Sequence, residues 1–164
     1  MSIYIFSGPI HSGKTTHILK WCRRQESVSG ILMPDIDGRR KIIDLDTMDV
    51  FDIECADTAN TKEALTSVGS YNFFNAVFEK ANAILIAAIS RSPRWLVIDE
   101  AGKLELKGKG FYHSIMQAIE HYSNSNTHGN LIIIVRDSLY KEVVSHFKIT
   151  TCKIIYSMKG IGQG

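Results

Sequence analysis

One short segment restricts this chain more than any other. Gly8-Pro9-Ile10-His11-Ser12-Gly13-Lys14-Thr15 fits the pattern GxxxxGK(S/T), and it stands between the two elements that this pattern requires. Ahead of it, Ile3-Tyr4-Ile5-Phe6 is an apolar run of β-branched and aromatic residues that reads as a buried strand, and behind it Thr16 to Arg24 reads as a helix. A strand that feeds a glycine-rich turn and then opens a helix aims several backbone N–H groups, and the positive end of the helix dipole, at one place. An anion the size of phosphate fits there.

In such a loop the backbone does the binding, so Gly8, Pro9, Ile10, His11, Ser12, Gly13, Lys14, Thr15 and Thr16 are all candidate phosphate-binding positions. Lys14 is the point charge that reaches the terminal phosphates, and the Thr15 hydroxyl is a candidate ligand for a Mg²⁺ that keeps most of its water. His11 and Ser12 occupy variable positions and are expected to face solvent without a catalytic role.

The remainder of the chain alternates between strand and helix patterns. Gly30 to Met33 reads as a second strand, ended by Pro34, which cannot donate to a ladder. From Lys41 to Glu54, Ile42-Ile43-Asp44-Leu45-Asp46 and Val50-Phe51-Asp52-Ile53-Glu54 flank a turn near Thr47 to Asp49 and suggest an antiparallel hairpin with one wet side. The carboxylates near Asp35 lack the glycine and glutamate of a calcium loop. Asn60 to Ser70 is polar and expected to be a loop. From Tyr71 to Arg91 the apolar positions Phe74, Val77, Phe78, Ala81, Leu85, Ala88 and Ile89 recur at three and four, the stripe of one long helix. Trp95 to Ile98 and Leu131 to Val135 are continuous apolar runs, as expected of strands covered on both faces in a parallel sheet. Helices over 111–122 and 138–147 and a strand over 152–156 complete the order.

Asp99-Glu100 closes the run that begins at Trp95, and in open α/β sheets the ligand lies beyond the carboxyl ends of the strands. Asp99 is therefore a candidate to share Mg²⁺ with Thr15, and Glu100 a candidate to polarise an attacking water, a task that contributes ~10²–10⁴ in rate. Arg136 follows the strand that ends at Val135, on the same side of the sheet, and is a candidate catalytic arginine. Salt bridges are expected for Arg91 and Arg94. Lys103, Lys107 and Lys109 are expected to lie near the mouth of the site.

The near balance of 19 basic and 17 acidic residues gives no clear nucleic-acid surface. Arg23, Arg24 and the group Arg39, Arg40, Lys41 read as solvated helix and turn ends. Three isolated cysteines, Cys22, Cys55 and Cys152, have neither a disulfide framework nor zinc spacing, and point to a reduced cytoplasmic compartment. The longest apolar run, Ala83 to Ile89, falls well short of the ~20 residues that cross a bilayer. With 164 residues, 45% of them hydrophobic, a single domain over 1–158 and a flexible tail over 159–164 are expected.

With both motifs placed, the chain resembles the small nucleoside-triphosphatase family called THEP1. The resemblance rests on the loop Gly8 to Thr16, on Val97-Ile98-Asp99-Glu100-Ala101-Gly102-Lys103-Leu104-Glu105-Leu106, which is similar to that family's extended Walker-B signature, and on the hairpin after the second strand. It covers most of residues 1 to 147. It implies an α/β, three-layer P-loop NTPase fold, a mostly parallel doubly wound sheet with an inserted antiparallel hairpin. It also implies Mg²⁺-dependent hydrolysis of ATP, GTP and other nucleoside triphosphates with broad base tolerance. Gly8, Gly13, Lys14, Thr15 and Thr16 would then bind nucleotide, Asp99 the metal and Glu100 the water. The chain departs from the family pattern at Ile10-His11-Ser12 and at Ala101. The loop spelling, followed by Asp-Glu-Ala, is closer to zinc-type thymidine kinases, although four paired cysteines are lacking. Two other activities stay open on the sequence. One is a kinase that transfers the phosphoryl group to a small-molecule alcohol, and the other is a nucleotide-gated module that binds a protein partner.

Overall fold

The structure, a computed structural model, describes residues 2–9, 13–124 and 126–162. Ile10, His11 and Ser12 of the loop lie outside the described residues. The elements in chain order are β1 (Ser2–Gly8), α1 (Lys14–Cys22), β2 (Val28–Leu32), β3 (Asp35–Ile36), β4 (Arg39–Asp44) and β5 (Val50–Asp52). They continue as β6 (Leu65–Val68), β7 (Tyr71–Phe74), α2 (Asn75–Arg91), β8 (Trp95–Ala101), α3 (Tyr112–Ser123), β9 (Asn130–Arg136), α4 (Tyr140–His146) and β10 (Lys153–Ile155).

The strands β10, β1, β9, β8 and β2 lie side by side in that order and are all parallel. β4 then pairs antiparallel with β2, with β3 and with β5, extending the sheet past its parallel core. The expected mostly parallel sheet with an antiparallel hairpin is what the chain forms. Alternation along the strands explains why both faces are apolar. In β8, Leu96 and Ile98 face a cluster shared with α2 and α3, whereas Trp95 and Val97 face a second cluster that contains Ile18 and Trp21 of α1. β9 divides in the same way, Leu131, Ile133 and Val135 against Ile132 and Ile134. The sheet is thus the middle of three layers. Past β10, the Ile161 carbonyl accepts a hydrogen bond from Trp21 Nε1 at 2.9 Å.

The region expected to be a loop and the start of the long helix differ from expectation. Leu65–Val68 and Tyr71–Phe74 pair as a small antiparallel hairpin, and the helix begins only at Asn75. The physical reason is local. Gly69 takes φ +60°, which turns the chain back, and Val68, Tyr71 and Phe73 then lean on the core as strand residues. A second short hairpin, β3–β4, was also absent from the expected elements. Asp37 (φ +55°) and Gly38 (φ +77°) occupy its turn, the left-handed pair that a two-residue hairpin needs. No helix among the described residues is long and apolar enough to cross a membrane.

Candidate active site

The site is assembled where β1 and β8 both end. α1 starts one residue after Gly13, which holds φ +74° as its N-cap, a conformation that residues with a Cβ rarely adopt. That geometry presents the helix N-terminus, with Lys14, Thr15 and Thr16 in its first turn, to the cleft beyond the sheet. Lys14 Nζ donates to the Gly8 carbonyl at 2.7 Å and to the Pro9 carbonyl. Burial lowers its pKa, opposed by the negative charges of Glu100 and Asp99.

β9 lies between β1 and β8, so the acidic strand is one strand removed from the loop strand. The two motifs nevertheless touch. Thr15 Oγ1 donates to Asp99 Oδ2 at 2.9 Å, and the Met33 backbone N–H donates to the same oxygen at 3.1 Å. Asp99 is 2% exposed. Burial, and after it the Glu100 charge, push its carboxyl up to about 7, against the opposing pull of those two hydrogen bonds.

Between Asp99 and Ala101 the register of β8 on β9 shifts, so that Asp99 faces Ile134 while Ala101 already faces Val135. This bulge leaves Glu100 without a partner in the ladder and turns its side chain into the cleft. There Glu100 Oε1 accepts from Arg136 Nε at 3.0 Å, with both side chains half-buried. The Arg136 position itself follows from pairing, since Gly8 of β1 lies opposite Arg136 of β9. Lys14, Thr15, Asp99, Glu100 and Arg136 therefore line a single cavity of about 230 Å³. Thr16 and Gly13 also line it, and Gly8 and Pro9 meet it through the Lys14 ammonium.

The segment after Glu100 is held by a buried acid. Glu105 Oε2 accepts from Gly102 N–H at 2.9 Å and Oε1 from Phe111 N–H at 3.0 Å. Burial raises the Glu105 pKa, and those backbone bonds work against the rise. Gly110 must be glycine here, because a Cβ would lie 2.2 Å from Glu105 Oε1. Lys103 lines a smaller, mostly apolar cavity of about 80 Å³ that adjoins the first through Arg40, Glu100 and Arg136. Lys107 and Lys109 line neither cavity. Arg91 pairs with Asp46 at 2.7 Å, as expected, and Arg94 is exposed.

One cleft residue was missed in the sequence. Arg40, expected at a solvated turn, is half-buried and lines both cavities. The signal that locates it is the Asp37-Gly38 dipeptide directly after a strand that ends at the site. Among the described residues no group of three or more His, Cys, Asp or Glu side chains could hold a metal ion by itself.

Comparison with known proteins places this arrangement in context. A sequence model of the family described as NTPase matches residues 3–159. The crystal structure of THEP1 from the hyperthermophile Aquifex aeolicus superposes with a TM-score of 0.68 at 24% identity, covering 99% of this chain and 92% of that one. The solution structure of a human cancer-related nucleoside triphosphatase superposes with a TM-score of 0.64 at 20% identity, covering 98% and 90%. Likeness at these identities speaks for the fold. No curated protein matches the chain.

Proposed function

The chain belongs to the NTPase family and is a nucleoside-triphosphatase, and from that premise we propose that it cleaves the β–γ bond of nucleoside 5′-triphosphates with Mg²⁺ and with little discrimination among bases. The observation that carries this reading is the 2.9 Å contact between Thr15 Oγ1 and Asp99 Oδ2, which joins the helix N-terminus to the acidic strand end. Two hard oxygen donors side by side at the cleft suit Mg²⁺, which binds through one or two protein ligands with phosphate and water completing its shell. Thr15 and Asp99 would hold the ion. When bound, it would supply positive charge that offsets the charge of the phosphates.

The rest of the chemistry falls to the chain's own groups. The amides at the start of α1 hold the phosphate oxygens, and the Lys14 ammonium leaves the Gly8 and Pro9 carbonyls to meet them. Glu100, aimed into the cleft, accepts a hydrogen bond from the attacking water and takes its proton. Arg136 holds one oxygen of that carboxylate and leaves the other for the water. None of these contacts reads a base, which supports broad tolerance.

The size of the adjoining cavity argues against a nucleoside as acceptor. At about 80 Å³ it is near half the ~150 Å³ that takes up benzene, too small for a nucleoside. The test is phosphate release from ATP, GTP, CTP and UTP, with and without Mg²⁺, before and after adding a mixture of nucleosides and small alcohols. Release from each triphosphate within about tenfold, dependent on Mg²⁺ and unchanged by the mixture, is expected. Release that starts only when an acceptor is supplied would make the protein a kinase instead.

A further inference from the structure

Among the described cations that line the 230 Å³ cavity, Lys14, Arg40 and Arg136, two are matched by a carboxylate or by the loop. Arg136 is tied to Glu100 at 3.0 Å, and Lys14 rests on the Gly8 and Pro9 carbonyls. Arg40 differs. Its guanidinium carries five N–H donors, and the hydrogen bond it makes through them is one of 3.4 Å, from Nη1 to the Met33 carbonyl. The remaining contact is with the Tyr71 ring, whose centroid lies 5.9 Å away. No carboxylate among the described residues comes within salt-bridge distance of it, although Asp35, its neighbour across the β3–β4 ladder, lines the same cavity.

The backbone that carries Arg40 is, by contrast, firmly placed. Its N–H donates to Glu54 Oε2 at 2.8 Å, and its carbonyl accepts from Ile53 N–H and Glu54 N–H at 3.4 Å. The tight Asp37-Gly38 turn returns β4 beside the end of β2, where Met33 also meets Asp99. A half-buried guanidinium with most of its donors unspent, fixed at its base and facing a cavity, calls for an anion in that cavity. The anion must stand near Asp99 and Glu100, at the end of the cleft where a terminal phosphoryl group would sit. The Arg40 charge already acts on Asp99, lowering its pKa against the effect of burial.

We propose that Arg40 is a catalytic residue supplied in cis by the inserted hairpin, its guanidinium binding the γ-phosphoryl oxygens and stabilising the charge that builds on them as the bond to the β-phosphate breaks. This rests on the cleft being the triphosphate site. Arg136, which sequence position had favoured for that task, serves to orient Glu100.

The test compares wild type with Arg40→Ala, Arg40→Gln and Arg40→Lys in the full chain. Measured for each are kcat and KM with Mg-ATP, affinity for ADP alone, affinity for ADP with aluminium fluoride, and thermal midpoint. Expected for Arg40→Ala is a kcat lower by about 10³-fold, with ADP affinity kept within threefold and the extra affinity that aluminium fluoride confers on ADP abolished. Millimolar guanidinium should restore part of the rate to Arg40→Ala, which a role in packing alone against Tyr71 would not allow. Should Arg40→Ala not fold, Arg40→Gln and Arg40→Lys decide, since each keeps an aliphatic stem with a polar end but neither keeps the guanidinium fork. A folded variant with kcat within threefold of wild type, or with aluminium fluoride still tightening ADP, overturns the assignment of Arg40 alone. Failure of the wild-type protein to bind ADP would overturn the site and Arg40 with it.

Discussion

Asp99 is a buried carboxyl retained at the expense of the folded state, and replacing it with asparagine exposes that expense. Its pKa is about 7 in the folded chain, against about 3.9 for an unfolded aspartate. Between those two values the folded protein binds a proton that the unfolded chain has released, so stability falls as pH rises and the contribution is gone above the folded pKa. From pH 5 to pH 8 roughly two units of that interval are crossed, and at about 1.4 kcal/mol per unit the loss is ~3 kcal/mol. For a chain of this length that corresponds to a fall of ~6–12 °C in thermal midpoint. Asp99→Asn has no proton to lose and keeps an oxygen that can accept from Met33 and Thr15. Its amide gains N–H donors without assured acceptors, a penalty of about 1–3 kcal/mol that does not vary with pH. The variant should therefore melt below wild type at pH 5 and close the gap or overtake it at pH 8. The assay is thermal unfolding followed by circular dichroism at half-unit steps of pH, with EDTA present and no nucleotide. Taking the difference between the two proteins cancels the histidines and the buried Glu105, which both share. A difference in midpoint that stays constant from pH 5 to pH 8 would refute the placement of an uncompensated carboxyl at position 99.

Other substitutions test separate parts of the structure. Glu100→Gln should slow turnover by ~10² or more with nucleotide affinity nearly intact, as seen by phosphate release beside equilibrium binding, and unimpaired turnover would remove Glu100 from the chemistry. Lys14→Ala should weaken ADP binding and turnover together, so full affinity in that variant would contradict its contact with the phosphates. In Gly30→Ala the new Cβ would meet the Val97 carbonyl oxygen at 2.0 Å, in a residue at φ +119°. A loss of at least about 3 kcal/mol in urea unfolding is expected, and an unchanged midpoint would show that β2 and β8 do not approach that closely. Gly110→Ala should displace the Glu105 carboxylate, 2.2 Å from the added carbon, and destabilise the chain more than Glu105→Gln. In the latter, one acceptor remains for Gly102 or Phe111, so the reverse order of the two midpoints would deny Glu105 its role as the clamp of this segment.

What the sequence made legible was set by short-range pattern. The run Ile3 to Phe6, the loop and the helix after it occupy consecutive positions, and Trp95 to Glu100 carries its own strand and its own acids, so these parts could be located without knowing the fold. The β6–β7 hairpin was hidden because Phe74, Val77 and Phe78 continue the three-and-four spacing of α2 without a break, and the turn glycine at 69 is the sole local interruption. The Arg136–Glu100 pair depends on β9 lying between β1 and β8, a long-range order that no local spacing encodes. Arg40 was misplaced for a different reason. A cation beside Arg39 and Lys41 has the composition of a solvated turn, and its guanidinium packs on Tyr71, which the equally unrecognised β6–β7 hairpin brings there.

Diffraction from crystals grown with ADP and Mg²⁺ bears most directly on the central claim, that a nucleotide's phosphates lie between the start of α1 and the Asp99–Glu100 pair. The expected result is a β-phosphate on the backbone N–H groups at residues 13–16, with Lys14 Nζ turned from Gly8 and Pro9 onto it and Thr15 facing the ion. A diphosphate bound elsewhere on the protein, with Lys14 still on its own loop, would contradict it.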